Sequence, residues 1–226
     1  MQARSIRSYV LRTGRITAAQ QRALSELWPR YGIDFQPVPL DLDRLFGRCA
    51  PRTLEIGFGN GDNLAARAAG EPERDFVGIE VHRPGIGHLL LRAAAQGGTG
   101  NLRVIAHDAV EVLERQIPAN SLDEVQLLFP DPWPKKRHHK RRLVQSAFIA
   151  LLASKLRAGG RLHVATDWQP YAEQMLSDLA ACEALVNHSD GLEGAASARS
   201  ATRFERRGER LGHRVTEFLF VRAADK

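Results

Sequence analysis

Leu54-Glu55-Ile56-Gly57-Phe58-Gly59-Asn60-Gly61-Asp62-Asn63-Leu64 is the stretch that decides the fold of this 226-residue chain. A β-rich run, Thr53–Phe58, enters three glycines at alternate positions, and a helical pattern, Asp62–Ala69, leaves them. Glycines so spaced let a strand bend sharply into a helix and let a ligand come close to the backbone. Taken alone, such a loop is equally an ordinary tight turn of an α/β protein.

Outward from that loop, short β-rich runs alternate with helical ones. Strands are expected at Thr53–Phe58, Phe76–Val81, Arg103–Ala106, Glu124–Phe129 and Arg161–Ala165. Helices are expected at Asp62–Ala69, Pro84–Gln96, Val110–Glu114, Leu143–Arg157 and Tyr171–Cys182. This alternation is the signature of βαβ units and a parallel sheet covered on both faces. After Tyr171–Cys182 come a short run, Ala184–His188, a polar loop, and Val215–Val221, which has no helix after it and would insert antiparallel. The expectation is an α/β, doubly wound, seven-stranded and mostly parallel sheet with the last strand antiparallel, an arrangement that resembles the Rossmann-like methyltransferases. Residues 1–30 read as a basic N-terminal arm and residues 31–226 as one domain.

The chemistry of the loop narrows its ligand. The dinucleotide fingerprint is G-x-G-x-x-G, whereas Gly57, Gly59 and Gly61 form G-x-G-x-G with Glu55 just before them. A pyrophosphate seeks backbone N–H groups with no carboxylate alongside, so Glu55 argues against a nicotinamide cofactor. S-adenosylmethionine has no phosphate and carries a sulfonium and an ammonium, which Glu55 and Asp62 suit. Glu80 ends the second strand about 20 residues beyond the glycines, where ribose hydroxyls are gripped in nucleoside-binding folds. Asp108 ends the third strand, placed for an adenine amine. One acid at a strand end is commonly a helix cap; three acids on three successive strands favour a nucleoside pocket.

The fourth strand delivers Phe129-Pro130-Asp131-Pro132-Trp133 and then eight basic or imidazole side chains, Lys135 to Arg142. In a doubly wound sheet this turn falls among the strands' carboxyl ends, where ligands bind. It is similar to the acid-Pro-Pro-aromatic loop of methyltransferases that modify amines of nucleobases or glutamine. Prolines stiffen it, an aromatic can stack on an acceptor, and a carboxylate can orient the acceptor's N–H groups. A ring nitrogen loses no proton when methylated, so Asp131 need only orient the base and favour the positive charge that develops. The block Lys135 to Arg142 reads as a phosphate-binding arm, with a solvated helix start as the alternative. Asp167 beside Trp168 ends the fifth strand, and Thr202-Arg203-Phe204-Glu205 offers donors, an aromatic and an acid; capped turns explain both equally well.

Bulk properties agree with these features without deciding among them. A net charge of +6 and a pI near 9.8 favour polyanionic partners, and the 43% hydrophobic content is ordinary for a globular protein. Cys49 and Cys182 fit neither a disulfide framework nor a zinc site, so no metal and a reducing, cytoplasmic setting are expected. No apolar run approaches the ~20 residues of a membrane span. The N-terminal segment, with Arg4, Arg7, Arg12 and Arg15, lacks the apolar core of a secretory signal. It could pass for an organellar transit peptide, but its continuous run into Trp28-Pro29 favours a basic arm of the mature protein.

Together these segments resemble the bacterial tRNA (guanine-N7)-methyltransferases over nearly the whole chain. The likeness runs from Arg7-Ser8-Tyr9-Val10 and Leu27-Trp28-Pro29 through Leu54 to Gly59, Gly78-Ile79-Glu80-Val81-His82 and His107-Asp108-Ala109. It continues to Phe129-Pro130-Asp131-Pro132-Trp133, Ala165-Thr166-Asp167-Trp168 and Thr202 to Glu205. The likeness implies methylation of a guanosine in the variable loop of tRNA by S-adenosylmethionine, giving 7-methylguanosine. It implies cofactor contacts at Glu55, Gly57, Gly59, Gly61, Glu80, Asp108 and Asp131, with Asp131 also catalytic. Substrate contacts would fall at Lys135, Asp167, Thr202, Arg203, Phe204 and Glu205. RNA contacts would fall at Arg137, His138, His139, Lys140, Arg141 and Arg142. Departures are slight: Pro134 sits at a variable position and Arg203 stands where Lys is common. A relative acting on a protein glutamine or DNA amine, and a non-catalytic RNA-binding protein, stay open, as does monomer against homodimer.

Overall fold

A computed structural model describes Tyr9, residues 14–189 and residues 215–224. In chain order these form α1 (Ala18–Glu26), α2 (Trp28–Tyr31), β1 (Gly32–Ile33), α3 (Leu42–Phe46), β2 (Arg52–Ile56), α4 (Asp62–Gly70), β3 (Asp75–Ile79) and α5 (Arg83–Ala95). Then follow β4 (Leu102–Ile105), α6 (Ala109–Arg115), β5 (Leu122–Leu128), a 3-10 segment (Lys136–Arg141), α7 (Ser146–Lys155), β6 (Leu156–Thr166), α8 (Gln169–Ala180), β7 (Leu185–Asn187) and β8 (Thr216–Arg222).

The strands make one sheet in the order β1-β4-β3-β2-β5-β6-β8-β7. β1 to β6 run parallel, and β8 pairs antiparallel with β6 and with β7. Covered on both faces, β3 reads as a continuous apolar run, Phe76-Val77-Gly78-Ile79, every residue of which is buried. The expected α/β sheet and its reversed last strand are present. The eighth strand is β1, whose two residues paired to Val104 and Ile105 are too few to carry a periodicity.

Two expected boundaries moved for local reasons. The helix expected from Leu143 starts at Ser146, because the Val144 N–H donates to the Tyr171 hydroxyl at 3.0 Å and the Val144 side chain enters the core. β6 begins well before Arg161, at Leu156 opposite Leu122, with a register shift near Glu124.

α5 packs two neighbours through its glycines. A side chain at Gly87 would meet Gln20 Cβ of α1 at 2.8 Å, so α1, its N-terminus closed by a Thr17–Gln20 capping box, sits directly on α5. Gly85 faces the other way, against the glycine loop.

Candidate functional site

The strand order fixes where a ligand meets this sheet. The chain leaves the centre at β2, builds outward to β4, and returns to start again at β5, so β2 and β5 are parallel neighbours with Ile56 opposite Leu127. Their carboxyl ends bound the crevice at a topological switch point. The glycine loop leaves one side and the Pro130-Asp131-Pro132 loop leaves the other. A cavity of about 330 Å³ opens there, lined by Gly57, Gly59, Glu80, Phe129 and Asp131 among others. That volume lies within the range of small-molecule sites.

Gly57, Gly59 and Gly61 all have positive φ, 70°, 59° and 74°. Among the described residues nothing lies within 4 Å of where a side chain on Gly57 or Gly59 would project, so the backbone there is open to a ligand. Glu80 holds the loop from the next strand. Its Oε2 accepts from the Gly59 N–H at 2.8 Å, and its Oε1 accepts from Val81 and His82 at 2.7 and 2.9 Å. Glu55 lies beneath the loop, 3% exposed, with Oε2 accepting from Asn63 Nδ2 at 2.9 Å. Asp62, grouped with Glu55 on sequence grounds, turns to Arg92 on α5 at 2.8 Å. Asp108 caps α6 through Oδ1, accepting from Val110 and Glu111. It lines a neighbouring cleft of about 800 Å³ together with Arg115, Lys140 and Arg141.

Gly85 is a site residue that sequence reasoning did not single out. A Cβ there would stand 2.1 Å from the Gly59 carbonyl oxygen. The available signal was a glycine retained in the first turn of a helix, where it costs about 1 kcal/mol against alanine. Gly85→Ala is expected to push α5 off the loop, destabilise the protein by ~1–3 kcal/mol as overpacking does, and weaken nucleoside binding. Urea melts and calorimetric titration with S-adenosylmethionine read both effects.

The loop after β5 carries the only positive-φ non-glycine residues of this crevice among the described residues, Phe129 at 55° and Trp133 at 45°. They bracket Pro130-Asp131-Pro132 and leave the Asp131 carboxylate exposed at the cavity. Backbone held in the left-handed region by bulky residues persists only where the surroundings enforce it. The enforcing contacts come from the basic segment. Arg142 Nε donates to the Pro132 carbonyl at 2.9 Å, and the Arg141 guanidinium lies 5.0 Å from the Trp133 ring centroid.

The eight cations and imidazoles do not form one surface. In a 3-10 helix side chains at i and i+3 eclipse, which divides the segment into three rows. His138 and Arg141 both face Trp133, the imidazole edge-on at 5.7 Å between centroids. His139 and Arg142 turn inward and contact each other at 3.2 Å. Arg137 and Lys140 face solvent, with Lys135 and Lys136 also exposed. Arg142, expected among the RNA contacts, is only 3% exposed. Its Nη1 donates to Gln174 Oε1 at 2.6 Å and it lies 4.7 Å from the Tyr171 ring centroid. Burial pushes the Tyr171 hydroxyl up to about 12, so the ring under Arg142 is neutral. The His138 imidazole is held below its ordinary value, by desolvation first and then by Arg137, Arg141, Lys135 and Lys140.

Behind the crevice a polar seam crosses the core. Thr53 and Glu55 on β2 stand opposite Glu124 and Gln126 on β5, and α4 lays Asn63 and Arg67 over them one turn apart. Arg67 Nη1 and Nη2 donate to Glu124 at 2.9 and 3.2 Å, and Arg67 Nε donates to Glu71 at 2.8 Å. Burial pushes the Glu124 carboxyl up, but Arg67, Arg161 and Gln126 reverse this and hold it below the ordinary carboxylate range. Burial likewise acts against the Arg67 charge, and Glu71 and Glu124 together raise it above its usual value.

Of the remaining expected residues, Asp167 is half-buried after β6, beside Trp168, which packs on the core as it leads into α8. Thr202, Arg203, Phe204 and Glu205 lie outside the described residues, as do Arg4, Arg7 and Arg12. Tyr9 lines both the cavity and the cleft. Among the described residues no helix is long and apolar enough to cross a membrane.

A methyltransferase family model matches residues 49–218. The tRNA (guanine-N(7)-)-methyltransferase of Xanthomonas campestris pv. campestris strain 8004 is 57% identical over 221 residues, covering 97% of this chain and 84% of that protein. The protein of the same description from Nitrosococcus oceani is 56% identical over 227 residues, covering 99% of this chain and 94% of that one. Among solved structures, the 16S rRNA methyltransferase KamB superposes with a TM-score of 0.56 at 19% identity, covering 81% of this chain and 93% of that one. A 16S rRNA (adenine(1408)-N(1))-methyltransferase from Catenulisporales acidiphilia gives 0.55 at 18% identity, covering 85% and 95%. At such identities the two structures speak to the fold alone.

Proposed function

The chain belongs to the tRNA (guanine-N(7)-)-methyltransferase family, and we propose that it methylates N7 of a guanosine in the variable loop of tRNA with S-adenosylmethionine as donor. The observation that carries this is the β2–β5 seam, which sets the open glycine loop beside the Asp131 loop on adjacent parallel strands.

The residues present suit that donor. Gly57 and Gly59 leave room for close approach, Glu80 stands at the end of β3 for ribose hydroxyls, and Glu55 supplies negative charge under the loop for a cationic amino-acid end. Among the described residues, no cluster of cations suited to a pyrophosphate lines the cavity. When bound, the donor supplies an electrophilic methyl group on a sulfonium.

Everything else falls to the chain. Attack by N7 removes no proton and leaves the purine cationic, so no general base is needed. Asp131, exposed at the cavity mouth, orients the guanine and offsets the charge that develops on it. Rigidity of that carboxylate comes from the flanking prolines and from Arg141 and Arg142, which clamp Trp133 and the Pro132 carbonyl. Lys135, Lys136, Arg137 and Lys140 face outward for the RNA backbone, with Asp167 and the segment from Thr202 to Glu205 as further substrate contacts.

The deciding experiment incubates the protein with unmodified tRNA and methyl-deuterated S-adenosylmethionine, then analyses digested nucleosides by mass spectrometry. Labelled 7-methylguanosine is expected; its absence from an RNA-binding preparation overturns the proposal.

The three-row geometry makes a separate prediction about binding. Arg137→Ala should lower the slope of log affinity against log salt by ~1, the signature of one lost phosphate contact. Arg142→Met should leave the slope unchanged and instead lower the melting temperature, because its guanidinium is tied inward. Filter binding across a salt series, with thermal melts alongside, separates the two.

A further inference from the structure

The seam under the glycine loop is polar where the core of a parallel sheet is otherwise apolar. Its members form one chain of hydrogen bonds. Arg67 donates to Glu124; Gln126 Nε2 donates to Glu124 Oε1 at 2.7 Å; Asn63 Nδ2 donates to both Gln126 Oε1 and Glu55 Oε2 at 2.9 Å. Glu55, Asn63, Gln126 and Glu124 are each at most 6% exposed.

The polarity of this chain is fixed from its far end. Arg67 has only donors, so Glu124 must accept; Gln126 must then present its nitrogen to Glu124 and its oxygen to Asn63. Asn63 is left with one orientation, nitrogen toward Gln126 and Glu55. The consequence is visible in the amide itself, whose Oδ1 is buried with no hydrogen-bond partner among the described residues. A buried acceptor without a partner is unfavourable, and an apolar residue would avoid it. What the amide contributes therefore lies in its nitrogen, which joins Gln126 to Glu55.

We propose that Asn63 is a positioning residue for methyl-donor binding: through the Arg67–Glu124–Gln126 relay it fixes the Glu55 carboxylate to receive the cationic amino-acid end of the donor. The inference rests on the donor proposed above and goes beyond it by assigning a role to residues remote from the cavity lining. The spacing makes the device possible. Residues two apart on the paired strands, Thr53 with Glu55 and Glu124 with Gln126, are matched by residues four apart on α4, so one helical turn spans the whole relay.

The test uses two ligands that differ at one end. S-adenosylhomocysteine carries the amino-acid end that Glu55 would grip, whereas 5′-methylthioadenosine retains the nucleoside and lacks that end. Calorimetry on the full chain with Asn63→Ala should show about tenfold weaker S-adenosylhomocysteine binding, with 5′-methylthioadenosine affinity unchanged within about twofold. Gln126→Leu breaks the relay one link earlier and should give the same selectivity with a smaller loss; it carries the test if Asn63→Ala does not fold. Equal weakening of both ligands would mean that Asn63 only holds the loop's shape, and no weakening of either would mean that Glu55 needs no such support. Both results overturn the proposal. Wild-type protein that binds neither ligand would instead remove the donor assignment itself.

Discussion

Asp131→Asn is expected to slow methyl transfer on the order of a hundredfold while leaving the folded protein intact. The size follows from what a preorganised charge contributes when it faces charge that appears only in the transition state; losing one such group commonly costs a factor of about 100 to 1000. Asparagine keeps the shape of the side chain and much of its hydrogen bonding, so guanine would still be oriented, and the lower end of that range applies. The loss should fall on the single-turnover rate at saturating tRNA and donor, because the missing interaction strengthens as N7 becomes cationic. Stability should change little, since the carboxylate is exposed. A near-normal single-turnover rate would remove Asp131 from the chemistry and leave it a structural member of its loop.

The largest effect on stability is expected from Glu124→Leu. That substitution leaves the Arg67 guanidinium buried without its main partner, and breaking one side of a buried pair costs about 3–5 kcal/mol. Arg67 retains Glu71 at 2.8 Å, whose side chain is 30% exposed, which places the expectation near ~3 kcal/mol. Replacing both residues, Arg67→Met with Glu124→Leu, should recover most of the loss, because no charge is then stranded. Urea denaturation of the two single variants and the double variant gives the coupling directly. The pair also sets an acid limit. Because the folded protein holds the Glu124 carboxyl below its ordinary value of about 4.5, its contribution is complete above that pH. The contribution is lost as the pH falls through the lowered value. Glu124→Leu should therefore lack this part of the wild-type acid destabilisation, an outcome read from denaturant midpoints at descending pH.

The fold and the crevice were legible because their signals are local. β3 is a continuous apolar run, the three glycines fall within five residues, and Glu80 and Asp131 each follow directly from the end of a strand. The relay was not legible for the opposite reason. Arg67 and Glu124 lie 57 residues apart, and Thr53 and Glu124 lie 71 apart; nothing relates them until β2 pairs with β5. The basic block misled in another way. Eight similar side chains in a row carry no pattern, and only the threefold repeat of a 3-10 turn separates the solvent-facing Arg137 and Lys140 from the inward Arg142. Gly85 was hidden because its reason lies on another element, the carbonyl of Gly59.

The two halves of the crevice have unequal independence. The glycine loop is woven into β2, β3, α4 and α5. The stretch from Phe129 to Arg142 is one uninterrupted segment closed on itself by Arg142 at Pro132 and Arg141 at Trp133. It is tied to the rest of the protein by the Phe129 N–H donating to the Ala165 carbonyl at 2.8 Å, by Gln145 Nε2 donating to the Lys140 and Arg142 carbonyls, and by a socket for Arg142 on α8, Tyr171 and Gln174. An engineer exchanging those fourteen residues would carry the socket pair with them, and would also rebuild one wall of the shared cavity, which Phe129, Pro130 and Asp131 line.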